Sequence, residues 1–120
     1  MKIKAQYLDI GGERMVILSA REFERLSKKA DVWLPPMPTP NERGNYPLES
    51  LAIFTARDII LTRRKLGLTQ AELASRAGIR LATLDRIENG KHLPNVRIME
   101  KIDRALKQGE TERNGHRMSG

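Results

Sequence analysis

The sequence predicts an α+β fold: a small N-terminal β-hairpin plus helix, a proline-rich linker, and a C-terminal all-α domain of four to five helices. Three observations predict it. Near the N-terminus, apolar and polar residues alternate with period two up to a Gly-Gly pair. Pro35, Pro36, Pro38 and Pro40 then crowd into six residues. Beyond Pro47, capping residues and glycines divide the chain into helix-length pieces. The expected domains are residues 1–30, a linker over 31–47, the helical domain over 48–107 and a disordered tail over 108–120.

Residues 2–8 and 13–18 read as two strands. Ile3, Ala5 and Tyr7 alternate with Lys2, Lys4 and Gln6, as in a half-buried strand. Met15-Val16-Ile17-Leu18 is continuously apolar. Asp9-Ile10-Gly11-Gly12 supplies turn chemistry between them. Ser19 and Glu22 have capping-box spacing, so a helix is expected from about Ala20 to Lys29, with Phe23 and Leu26 on its buried stripe. The prolines that follow favour an extended semi-rigid spacer and exclude helix.

Four helices are expected next. The first runs from about Leu48 or Ser50 to Leu66 and stops at Gly67. The second starts at the N-cap Thr69, carries Glu72 at the capping-box position and ends at Gly78. The third runs from about Leu81 to Glu88, before Asn89-Gly90. The fourth starts after Pro94-Asn95 and reaches about Lys107. Leu68, Leu73, Ile79, Leu84 and Ile87 should share one core with Ile59, Ile98 and Ile102. The last thirteen residues are polar and contain glycines at 109, 115 and 120.

Composition narrows the function. The chain has 120 residues, a net charge of +7 and a pI near 10.1. Residues 51–107 hold twelve Lys/Arg against six Asp/Glu, whereas residues 1–50 hold eight against seven. The basic excess thus lies in the helical half and points to a polyanion partner for that half. No cysteine is present, which excludes a disulfide scaffold, a thiolate zinc site and a cysteine nucleophile. Two histidines, His92 and His116, cannot hold a metal alone. No nucleophile–base–orienter set or glycine-rich phosphate loop is visible, so no enzyme activity and no cofactor are expected. No membrane span and no secretory leader are expected either, and the expected location is the cytoplasm.

The segment from Leu68 to Ile79 reads as the first helix and turn of a helix-turn-helix, and Arg80 to Gly90 as its recognition helix. Small Ala74 lets the two helices approach steeply, and Gly78 lets the chain reverse. On Gly67-Leu68-Thr69-Gln70-Ala71-Glu72-Leu73-Ala74, Ala77-Gly78-Ile79, Ile87-Glu88-Asn89-Gly90-Lys91 and Pro94, residues 57–107 resemble the Cro/repressor-type (XRE) helix-turn-helix family. The resemblance implies binding to double-stranded DNA. It implies a phosphate contact for Gln70 beside Thr69 at a helix N-terminus, and base-edge contacts in the major groove for Arg80, Leu81, Ala82 and Arg86. Thr83 and Lys91 fall near the DNA backbone. It also implies an ion pair between Arg63 and Glu88. Residues 13–26 are similar to the closing strand and helix of prevent-host-death (Phd/YefM-like) antitoxins.

Together these readings lead to a transcriptional regulator, expected as the antitoxin of a toxin–antitoxin pair that represses its own operon. A stand-alone repressor is the alternative. Val16, Ile17, Leu18, Phe23 and Leu26 are too apolar to be left in water on so small a segment. They are expected to form a homodimer interface or to bind a cognate toxin. A two-fold dimer would read a palindromic operator.

Overall fold

A computed structural model of the chain describes residues 5–118, with side chains as far as residue 115. The part of the first expected strand that includes Ile3 lies outside the described residues. The chain forms two compact units that divide between Trp33 and Leu34.

The first unit contains strands β1 (Gln6–Ile10) and β2 (Glu13–Ile17) and helix α1 (Ala20–Lys29). The strands pair antiparallel around Gly11-Gly12, with Tyr7 opposite Val16 and Leu8 opposite Met15. This register puts Leu8, Ile10, Met15 and Ile17 on one face, and Tyr7, Asp9, Arg14 and Val16 on the other. On the second face Arg14 lies over the Tyr7 ring, 5.0 Å from its centroid. Ser19 caps α1 by accepting from the Glu22 backbone N–H at 3.1 Å. The other end turns through Asp31 at φ 55°, where the Val32 N–H donates to the Ser27 carbonyl and the Asp31 N–H to that of Lys28.

Phe23 does not lie on a buried stripe. It is 62% exposed, Leu26 is half-buried, and the buried residue of α1 is Ser27. Every residue of both strands is exposed. Two five-residue strands and a ten-residue helix offer too little area to enclose the large side chains they carry.

The second unit contains α2 (Ser50–Lys65), α3 (Gln70–Ala77), α4 (Leu81–Glu88) and α5 (Val96–Met118). Helix α3 packs on α4 and α5, and α2 packs on α4. Ile59, Leu68, Leu73, Ala74, Ala77, Leu84, Ile87, Ile102, Ala105 and Leu106 form one core, with Ile79 and Ile98 at its edge. Thr69 closes a full capping box. Its hydroxyl accepts from the Glu72 N–H, and its own N–H donates to the Glu72 carboxylate at 3.0 Å. Asn95 starts α5 by accepting from the Ile98 N–H at 2.8 Å.

Two segments are more ordered than their composition suggests. In the linker, Pro35 is buried, and its carbonyl accepts from Arg57 Nη1 at 2.8 Å. Asn41 closes a short loop through the N–H groups of Arg43 and Asn45, and Tyr46 meets Phe54 edge to face at 5.1 Å. Residues from Leu34 onward therefore belong to the helical unit rather than forming a free spacer.

The expected tail over 108–120 is helical as far as Met118. Gly109 falls on the buried face, where a Cβ would stand 3.1 Å from a Leu66 methyl. Arg113 Nη1 donates to the Lys65 carbonyl at the end of α2, and Glu112 pairs with Arg76 of α3 at 2.9 Å. These partners are distant in sequence, so a polar run that reads locally as frayed is held in place.

Gly78 and Gly90 both adopt left-handed backbone, at φ 69° and 75°. A Cβ on Gly78 would meet nothing within 4 Å, whereas one on Gly90 would lie 3.3 Å from Pro35 Cβ and 3.4 Å from Ile53. Gly78→Ala should cost about 1–2 kcal/mol from backbone strain alone. Gly90→Ala should cost more, because it also disturbs the docked proline. Urea denaturation of the two variants checks the order, and equal losses would mean that Pro35 does not press on the turn.

Candidate nucleic-acid interface

A helix-turn-helix is what α3, the Gly78 turn and α4 make together. Gly78 donates to the Ser75 carbonyl and Ile79 to that of Ala74, so the chain reverses within a few residues. Leu84, Ile87 and Glu88 turn α4 inward. Ala82 and Arg86, four residues apart, lie on the opposite side and are exposed. Leu81, 48% exposed, and Asp85 occupy one flank of that face, and half-buried Thr83 the other. Arg80 is the N-cap of α4 but makes no side-chain cap, so its guanidinium is exposed at the start of the helix. Lys91 and His92 are exposed beyond its other end. There Thr83, Arg86, His92 and Pro94 line part of an open groove of about 400 Å³.

Behind this surface stands a buried ion pair. Arg63 is 1% exposed and Glu88 5%. Arg63 Nε donates to Glu88 Oε2 at 2.9 Å, and Nη2 to Oε1 at 3.0 Å, a bidentate fork. Nη1 donates to the Leu68 carbonyl at 3.1 Å. One guanidinium thus ties α2 to the end of α4 and to the residue that leads into α3.

The Gln70 amide is engaged within the protein. Its Nε2 donates to Glu88 Oε1 at 3.1 Å and to Asp85 Oδ1 at 3.4 Å. The second contact is long, but it sets the amide's orientation: a rotated amide would aim its carbonyl oxygen at two carboxylates. The amide nitrogen thus faces two acids of α4. The Gln70 and Ala71 backbone N–H groups, in the first turn of α3, are donors at this corner. The capping hydrogen bonds to Thr69 hold the Glu72 carboxyl below its ordinary range.

Asp85 is the residue that motif reading passed over. Its place three residues before Glu88, on the flank next to Gln70, was the available signal. In the first unit, Val16, Ile17 and Phe23 are exposed and Leu18 and Leu26 half-buried, so most of that apolar set is uncovered.

Residues 59–112 match the family described as "Helix-turn-helix". Over 44 residues the chain is 43% identical to an HTH-type transcriptional regulator of Methanothermobacter thermautotrophicus, covering 37% of this chain and 64% of that protein. It is 45% identical over 44 residues to an HTH-type transcriptional regulator of Archaeoglobus fulgidus, covering 37% and 63%. The chain thus spans less than two thirds of these curated relatives' length. Among the described residues, no helix is long and apolar enough to cross a membrane.

Proposed function

We propose that the helical unit binds double-stranded DNA sequence-specifically and that the protein is a transcriptional regulator. One observation carries the reading: α4 is anchored from behind by the Arg63–Glu88 pair, while its outer face presents Ala82 and Arg86 beside Arg80. An eight-residue helix of this kind fits the major groove. Arg80 and Arg86 have the geometry to bind guanine O6 and N7, and Leu81 and Ala82 suit thymine methyls. Thr83, Lys91 and the first backbone N–H groups of α3, next to Thr69, suit phosphates.

The first unit supplies the second half of the proposal. Its exposed aliphatic face, with Met15 and Ile17, and the exposed Phe23 are covered by a second copy of the chain, which gives a two-fold dimer that reads a palindrome. The finer reading is an antitoxin that represses its own operon and binds a cognate toxin through this surface. It is supported by the similarity of residues 13–26 to prevent-host-death antitoxins. A stand-alone repressor needs only the dimer.

A footprint of the DNA upstream of the protein's own coding sequence is expected to show two protected half-sites, about 34 Å or a multiple of that apart. Arg80→Ala and Arg86→Ala should each weaken the complex by about 1–3 kcal/mol at particular base pairs. Affinity should fall steeply with salt, as counterion release demands. No protected palindrome at micromolar protein would contradict autoregulation.

Sedimentation checks the assembly. The full chain should be a dimer at micromolar concentration, and a chain beginning at Leu34, which keeps Pro35 and Tyr46 in the helical unit, should be a monomer. A monomeric full chain, or a dimeric shortened one, would contradict a dimer through the first unit.

A further inference from the structure

We infer that Asp85 and Gln70 act as one acceptor-only reader, selecting cytosine through its exocyclic amino group. The inference rests on the DNA-binding reading above. The Gln70 amide nitrogen faces Glu88, at 3.1 Å, and Asp85, at 3.4 Å. What remains to face outward from this pair is the Gln70 carbonyl oxygen and the lone pairs of the Asp85 carboxylate. Asp85 is exposed, on the flank of α4 next to its outward face, and its neighbour on that flank, Leu81, has no polar atom. The outward side-chain atoms of this pair are therefore acceptors.

The chemistry of the base edges makes the choice. In the major groove cytosine shows a single polar group, the N4 amino donor. Guanine shows only acceptors there and would be repelled. Adenine pairs its amino group with the N7 acceptor, which would face a carboxylate, and thymine offers no donor. A phosphate is disfavoured at the Asp85 carboxylate itself by its charge, and is left to the backbone N–H groups at the start of α3. Glu88 is held by Arg63 on both oxygens, so the support of the reader is fixed before DNA arrives.

The test selects binding sites from random duplex DNA with the full chain and with Asp85→Ala, Asp85→Asn and Gln70→Ala variants. The wild-type chain is expected to demand cytosine at one position of each half-site by about tenfold or more. Asp85→Ala should lose that demand while keeping the rest of the motif. Asp85→Asn, with one acceptor and one donor, should shift the position toward adenine. Gln70→Ala should weaken the demand at the same position. A direct check replaces that cytosine by 2-pyrimidinone, which lacks the amino group. Wild type should lose affinity by the same factor, and Asp85→Ala should not change. If Asp85→Ala selects the wild-type motif unaltered, the inference is overturned and the DNA-binding reading stands. If the wild-type chain selects no motif, both fall together.

Discussion

The geometry of the helical unit depends on one guanidinium placed where water cannot reach it. Arg63 and Glu88 are both buried, and such a pair is tolerated only when nearly every polar atom is satisfied. Here the fork closes on both carboxylate oxygens, and the remaining Nη1 finds the Leu68 carbonyl. Among the described residues, no buried side-chain polar atom lacks a partner. A purely apolar contact between α2 and α4 could slide by a fraction of a turn at small cost. A bidentate ion pair cannot, because a slip leaves a charge unpaired in a low dielectric. The pair thus sets the position of α4 more narrowly than packing alone would.

From that anchor the order spreads outward. Glu88 also accepts from Gln70, which reaches Asp85 on the outer flank of α4, so three hydrogen-bonding residues connect the core to the surface. On the other side, Pro35 lies close to the turn that ends α4, and Arg113 and Glu112 hold the ends of α2 and α3. Among the described residues, the first unit has no buried ion pair. It has a well-registered ribbon and a capped helix, but Phe23 and the aliphatic face of the strands lack cover. One unit encloses its core, and the other leaves large apolar side chains exposed.

Much of this was legible in the residues because the controlling signals are local. Thr69 with Glu72, Gly78, Asn89-Gly90 and Asn95 mark helix ends whose geometry lies within a few residues, and the helices fall where those signals put them. Arg63 and Glu88 were recognisable as a pair only through family resemblance. What escaped local reading is long-range. Nothing near Arg113 announces the Lys65 carbonyl, and nothing near Pro35 announces Arg57. The polar stretch after Lys107 therefore reads as a tail, and the prolines as a spacer. Phe23 departs from its expected place for the opposite reason: its helical spacing is apolar enough to bury, but the described residues of its unit leave it exposed. The contacts of the Gln70 amide with Glu88 and Asp85 likewise lie beyond what a motif reveals.

A double-mutant cycle on Arg63 and Glu88, read by urea unfolding of the full chain with Arg63→Met, Glu88→Gln and the double variant, tests the central claim most directly. Each single replacement should be strongly destabilising, because it leaves a buried partner unsatisfied. The double variant should lose less than the two singles together, with a coupling energy of about 2 kcal/mol or more. Single effects that simply add would contradict the account, since α4 would then be held by packing alone.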